Sequence, residues 1–321
     1  MIEEIFIEPV QDNVKQVEQL MRAGCEGYHP AFSAALNHLL ASGGKRIRVV
    51  VALLTGAMLG ADQQRLITLA AAIESLHTAT LVHDDLIDGA LLRRGIPTLN
   101  AQWSPAATVL TGDFIFARAA KLAAETDSLI GMRMFSETLA TIVNGEITQM
   151  FNGRGVVERE NYYQRIYAKT ASLFELAAHA PAILSEAEPE VALKVKQYGY
   201  EIGMAFQIVD DVLDFTGKQA VLGKPVASDL RQGLVTLPSL YYLEAHADDA
   251  DFHSIIEGNF CGEECINRLV DAIRHSGAIE QSLQEAHQYV ARGLEALDGF
   301  AESREREALA ALAKYIIARD I

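Results

Sequence analysis

From Asp62 to Asp88 the chain reads as one long helix whose apolar stripe closes on carboxylates. Leu66, Ile67, Ala70, Ile73, His77, Thr80, Leu81 and Asp84 fall near one face, and the run ends in HDDLID, His83 to Asp88. A second apolar stretch, Gly203 to Val209, ends the same way in VDDVLD, Val209 to Asp214. Both motifs have the form Asp-Asp-x-x-Asp. Positions i and i+4 share a helix face, so Asp84 projects with Asp88, and Asp210 with Asp214. Like charges so spaced repel by about 0.2–0.5 kcal/mol, and the macrodipole disfavours carboxylates at a helix C-terminus. A solvated acidic helix end accounts for one such motif. Two, each closing an apolar helix, point to a neutralising cation. Carboxylates that leave room for water and phosphate oxygens suit Mg²⁺.

The same periodicity runs through the rest of the chain. Helical patterns cover Ala107–Ala124, Ile130–Met150, Ala171–Leu184 and Val191–Phe215, and two or three amphipathic helices follow between Ile266 and Ala318. Ser42–Arg46, Gly89–Thr98, Asn152–Val156 and Thr216–Pro238 read as irregular. Hairpin signals between alternating strands are missing; Asn144-Gly145 and Asn152-Gly153 interrupt helical patterns instead. No Gly/Ser/Pro-rich linker or charge run divides the 321 residues, so the expectation is one all-α domain spanning 1–321.

Charge narrows the partners. Lys and Arg number 27 against 43 Asp and Glu, a formal net charge of −16, which argues against nucleic acid. Cys25, Cys261 and Cys265 form no CxxC pair and no even disulfide framework. With no N-terminal signal pattern, this fits a reducing cytoplasm. Charges interrupt the apolar runs short of about 18 residues, so no membrane span is expected.

In so acidic a chain the clustered basic residues are informative. GGKRIR, Gly43 to Arg48, offers backbone N–H groups and the side chains of Lys45, Arg46 and Arg48 to an anion. A solvated basic turn is the plainer alternative, and the P-loop spacing is absent. Arg93 and Arg94 in LLRRG follow the first acidic motif. They either neutralise nearby carboxylates or hold a second anionic group directly. Lys169-Thr170 precedes an apolar helix and Lys224 follows the second acidic motif; each taken alone reads as a solvated lysine. His77 lies two turns before Asp84, where a lone histidine is more often a satisfied core residue than a ligand.

Taken in order, GGKRIR, HTATLVHDDLIDGALLRRG, GDF, YAKTASLF, GMAFQIVDDVLDF, LGKPVASDL and GLVTLP resemble the trans-isoprenyl diphosphate synthase (polyprenyl synthetase) family, most closely its long-chain members. The resemblance covers nearly the whole chain. It implies a large all-α bundle around a deep central cavity, the class I isoprenoid synthase fold, assembled as a homodimer. It implies isopentenyl diphosphate and an allylic diphosphate as substrates and Mg²⁺ as cofactor, about three ions per active site. Asp84, Asp88, Asp210 and Asp214 match the metal-binding aspartates. Asp84, Asp85, Asp88, Lys169 and Asp210 match the catalytic set. Arg93, Lys169, Thr170, Gln207 and Lys224 resemble the allylic-diphosphate contacts, and Lys45, Arg48, His77 and Arg94 the isopentenyl-diphosphate contacts. Three positions depart from the pattern. Val49 stands where proline usually follows GGKRIR, Ala227 replaces a common glycine, and Leu234 occupies a position that is lysine in some members.

In the same family the side chains four and five residues before the first aspartate help set product length. Here they are Thr80 and Ala79, both small. The helix from Asp62 to Asp84 extends about 33 Å at about 1.5 Å per residue, enough to line a path for several isoprene units. A medium- to long-chain product is therefore expected. Phe114, Phe116, Met132, Met134 and Phe135 are the side chains that would plug such a path. The other functions weighed are a short-chain (farnesyl or geranylgeranyl) synthase, a class I terpene cyclase and a non-catalytic synthase subunit. The cyclase has no need of a second diphosphate site, and a regulatory subunit is expected to have lost aspartates or basic ligands. A hydrophobic product also implies peripheral membrane contact at release.

Overall fold

Asp62 starts the long helix with its own side chain: the carboxylate accepts a hydrogen bond from the Arg65 backbone N–H at 2.9 Å, satisfying one of the orphan donors at the N-terminus. The helix then runs from Gln63 to Ile87, with Asp88 as its C-cap. The computed structural model describes residues 2–23, 28–41, 44–93, 95–152, 155, 157–217, 226–258 and 261–319. In chain order the helices are α1 (Ile2–Ile7), α2 (Gln11–Ala23), α3 (Pro30–Ala41), α4 (Ile47–Met58), α5 (Gln63–Ile87), α6 (Leu99–Gln102), α7 (Pro105–Ala124), α8 (Leu129–Asn152) and α9 (Arg159–Ile166). They continue as α10 (Ser172–Leu184), α11 (Pro189–Thr216), α12 (Ser228–Arg231), α13 (Leu237–Ala245), α14 (Ala250–Ile256), α15 (Glu263–His275), α16 (Ala278–Ala296) and α17 (Arg304–Ile317). A π turn, Tyr167–Ala171, joins α9 to α10.

The chain divides into two compact units, each assembled from three segments. The first comprises residues 1–139, 173–199 and 296–312. Its centre is α5, packed against α7, α4 and α2. Every residue of α4 from Val49 to Gly56 is buried. By length and composition α5 alone among the described helices passes for a membrane span, contrary to the expectation that charges interrupt every such run. Its most apolar stretch is 78% buried in the protein, which makes it a core helix. Close approach of α10 to α11 depends on Gly199, where an added Cβ would lie 2.6 Å from the Phe174 carbonyl oxygen and 2.8 Å from Ala178 Cβ.

The second unit comprises residues 140–172, 200–295 and 313–321. Its core gathers Tyr162 and Ile166 of α9, Ile208, Val212 and Phe215 of α11, and apolar residues of α13 to α16. The three C-terminal amphipathic helices appear as α15, α16 and α17.

Two expectations are corrected. The stretch after α5 contains a small antiparallel hairpin, Leu92–Arg93 with Ile96–Pro97, and Gly95 supplies a positive φ of 76° in its turn. Pattern failed here because two-residue strands are too short to alternate. Cys261 and Cys265 form a disulfide, with Cα atoms 5.6 Å apart at the start of α15. The spacing of four, read as unpaired, is one helical turn.

Replacing Gly199 by Ala should destabilise the chain by about 1–3 kcal/mol through overpacking against a rigid carbonyl. Denaturant unfolding of the two proteins reads this directly.

Candidate active site

The basic segment at the start of α4 is organised by one residue with an unusual backbone. Arg46, the N-cap, has φ 48° and ψ 35°, a left-handed conformation that costs a non-glycine residue roughly 1–2 kcal/mol. The strain is offset by its side chain. Nη1 lies 2.7 Å from Glu74 Oε1 and Nε 3.2 Å from Glu18 Oε1. Burial works against the guanidinium charge, but Glu74 and Glu18 outweigh it and raise the pKa. Arg46, grouped by sequence with the anion-binding side chains, is therefore turned inward as an anchor. Arg48 Nη1 sits 3.3 Å from His77 Nε2, and its guanidinium lies 4.6 Å over the Phe174 ring. Glu74 and His77 are one turn apart on α5, so that face takes both arginines. Lys45 remains exposed.

At the end of α5 the three aspartates separate as helix geometry dictates. Asp84 is half-buried and Asp88 exposed, while Asp85 is buried. Arg93 Nε donates to both oxygens of Asp85, at 2.9 and 3.1 Å, and its Nη2 lies 2.8 Å from Oδ1. Asp85 thus tethers the hairpin that carries Arg93. Arg94 lies outside the described residues. His83 packs so closely on Gly112 that an added Cβ would lie 2.1 Å from its Nε2, which explains the glycine of the GDF signature. Thr80 Oγ1 donates to the His77 carbonyl at 2.8 Å, and Ala79 is fully buried. Thr78, beside Ala79, and Ser75, one turn away, line a small cavity with Met21, Leu36, Leu39, Phe114, Ile115 and Arg118.

In the second unit Lys169 and Thr170 stand in the π turn, where Ser172 N–H reaches back to the Tyr167 carbonyl. Such single turns recur at functional sites because they re-aim side chains. Thr170 Oγ1 donates to Gln207 Oε1 at 2.5 Å, and Gln207 Nε2 donates to Asp211 Oδ1 at 2.8 Å. The Tyr162 hydroxyl donates to Asp211 Oδ2 at 2.8 Å. Burial, then the charge of Asp229, push the Asp211 carboxyl up to about 7 despite those bonds. Lys169, Gln207 and Asp211 border one small cavity with Gln149, Arg165, Asp229 and Leu234. Lys169 Nζ also lies 3.0 Å from Glu146 Oε1.

The remaining aspartates of the second motif take different partners. Asp214, expected as a metal ligand, is buried and accepts from Ser228 Oγ at 3.1 Å and from Asp229 N–H at 3.2 Å, fixing the start of α12. Ala227 just before it has φ 54°, which gives the family's glycine at this position its physical reason. Asp210 meets the guanidinium of Arg319. Lys224 lies outside the described residues.

Among the described residues no three His, Cys, Asp or Glu side chains converge as an all-protein metal cage. The donors present are single carboxylates and the i, i+4 pair Asp84 and Asp88. That set fits Mg²⁺, which takes one or two carboxylates and fills its octahedron with phosphate oxygens and water. At Asp210 a guanidinium already stands in for a cation. Sequence reasoning missed Tyr162, Gln149, Arg165 and Arg319, and placed Asp229 only as a signature residue. No local pattern marks the first four, because their roles depend on which helix they face.

A family model described as polyprenyl synthetase matches residues 29–273. Heptaprenyl diphosphate synthase component 2 of Geobacillus stearothermophilus is 39% identical over 304 residues, covering 94% of each chain. Octaprenyl diphosphate synthase of Escherichia coli (strain K12) is 35% identical over 324 residues, covering 96% of this chain and 99% of the relative. A polyprenyl synthase from Caulobacter crescentus CB15, crystallised with calcium and isoprenyl diphosphate, matches with a TM-score of 0.93 and 33% identity, over 99% of this chain and 98% of that one.

Replacing Glu74 by Ala leaves the Arg46 guanidinium with Glu18 as its remaining carboxylate partner and should cost about 1–3 kcal/mol. The double variant Arg46→Met with Glu74→Leu should recover most of that loss in the same unfolding measurement.

Proposed function

Because this chain belongs to the polyprenyl synthetase family, we propose that it condenses isopentenyl diphosphate with an allylic diphosphate in trans, releases pyrophosphate and makes a medium- to long-chain polyprenyl diphosphate. The observation that carries this is near-full-length similarity to heptaprenyl and octaprenyl diphosphate synthases, with both Asp-Asp-x-x-Asp motifs intact. In the first unit Asp84 and Asp88 hold divalent metal, and Lys45, Arg48 and His77 hold the isopentenyl diphosphate. In the second unit Asp210 holds metal, Asp214 supports it through water, and Lys169, Thr170 and Gln207 contact the allylic diphosphate. Asp85 acts by orienting Arg93. The metal is Mg²⁺, about three ions per site as the family resemblance implies, and when bound it withdraws charge from the departing pyrophosphate. Lysine and arginine side chains disperse the same charge. Apolar walls keep water from the allylic cation.

The small side chains of Ala79 and Thr80 support a long product; the cavity at Ser75 and Thr78 is small, with mostly apolar walls. Phe114 lines that cavity from the side, held edge-on by Tyr28 and Phe32, whereas Phe116 lies against His83.

A homodimer and a single domain belong to the same proposal. On α8 Val143, Ile147, Met150 and Phe151 form an exposed apolar stripe at helical spacing, suited to a second copy of this chain. The boundaries between the two units fall inside α8, α10, α11, α16 and α17 rather than in linkers. We place the protein in the cytoplasm, touching a membrane surface only to release product. Thiol counts on protein quenched in cells test that placement: a reducing compartment should open the Cys261–Cys265 disulfide, and a bond retained there would count against the cytoplasm.

Three measurements follow. Purified protein given Mg²⁺, isopentenyl diphosphate and farnesyl diphosphate should yield products longer than the primer, and a chelator should abolish them. A cyclic hydrocarbon would instead favour the cyclase, and no consumption would mean that a companion subunit is needed. Replacing Ala79 by Phe should shorten the product by at least one isoprene unit; an unchanged length would remove Ala79 from chain-length control. Replacing Ile147 by Arg should shift the protein to monomer by light scattering, and an unaltered dimer would place the interface elsewhere.

A further inference from the structure

The second acidic motif already holds a cation supplied by its own chain. Arg319, just beyond α17, places Nη1 2.8 Å from Asp210 Oδ1. Its Nη2 donates to the Phe206 carbonyl at 3.0 Å and its Nε to the Ile316 carbonyl at 3.1 Å. The guanidinium also lies 3.9 Å over the Phe206 ring. Phe206 and Asp210 are one turn apart on α11, so ring and carboxylate together form a seat. The Arg319 side chain is 12% exposed and that of Asp210 39%. An exposed ion pair has neither this many fixed contacts nor this burial. A planar guanidinium that stacks and donates in its own plane fits the seat in a way an ammonium does not.

We propose that Arg319 is a positioning residue for the second motif: a resident counter-ion that keeps Asp210 oriented and neutralised, and that divalent metal must displace from Oδ1. This rests on the reading of Asp210 as a metal ligand. Guanidinium and metal seek the same carboxylate oxygen, so their occupancies are competitive. By linkage the chain binds metal more weakly than it would without Arg319, in proportion to the fraction of Asp210 left open. Displacement does not remove the guanidinium, because the end of α17 and the Phe206 ring hold its stem nearby. The arginine therefore sets a threshold on metal loading at Asp210 and leaves Asp84 and Asp88 unaffected.

The test is Mn²⁺ binding to the full chain, followed by the electron paramagnetic resonance of free ion, since Mn²⁺ takes the same oxygen ligands as Mg²⁺. Arg319→Met keeps an apolar stem over Phe206 and removes the charge. It should bind one Mn²⁺ about fivefold or more tightly than the parent. The gain should vanish when Asp210→Asn is added, and Arg319→Lys should fall between Arg319→Met and the parent. Melting temperatures of all variants separate this from a structural role, which would lower stability and leave the Mn²⁺ constants alone. An Arg319→Met constant equal to the parent's, or a gain that survives Asp210→Asn, overturns the proposal. Prenyl transfer by the parent is assayed in parallel. Its failure would sink the proposed reaction, while competition between Arg319 and metal would still be decided by the Mn²⁺ data.

Discussion

A carboxylate at the end of a buried apolar helix has to be given a partner, and the rest of this structure is arranged around that requirement. Asp85 is held by Arg93 and Asp210 by Arg319, and Glu74, midway along α5, is held by Arg46. Asp211 accepts from Tyr162 and Gln207, and Asp214 from Ser228 and the Asp229 N–H. With 43 acidic residues against 27 basic ones, the buried carboxylates draw on both arginines and neutral donors. Asp84 is half-buried and Asp88 exposed, so both keep contact with water, which the metal role proposed for them requires.

The same requirement explains two backbone irregularities. Arg46 adopts a left-handed conformation because only an inward-facing side chain reaches Glu74 and Glu18, and that orientation leaves Lys45 and Arg48 on other sides of the turn. The π turn at Tyr167–Ala171 inserts one residue into the α9–α10 track, which rotates Lys169 toward the cavity while Thr170 meets Gln207. Each irregularity lies at a signature that sequence marks for substrate contact, consistent with strain being retained where positioning matters.

Helix existence was legible in the sequence because the periodic apolar stripes are long, and a stripe of 20 or so residues leaves few alternatives. Expected and observed ends of the long helix differ by a single residue at each side, since Asp62 is a capping residue by its chemistry. The short hairpin and the disulfide escaped detection because two residues carry no periodicity and a spacing of four reads as a helical turn. The acidic motifs mark the aspartates by position, but Arg93, Tyr162 and Ser228, which hold Asp85, Asp211 and Asp214, lie 8, 49 and 14 residues away in sequence.

Sequence by itself determined that the chain is helical, that two helices end in aspartate clusters, and that Lys45, Arg48, Lys169 and Gln207 accompany them. These are local properties, set by periodicity, charge and order along the chain. Tertiary structure alone decided that Arg46 turns inward to Glu74 and Glu18, that Tyr162 holds Asp211, and that Arg319 reaches Asp210 across more than a hundred residues. Those outcomes follow from which face of one helix packs on another. A buried charge selects its partner by distance in space, and no pattern along the chain records that distance.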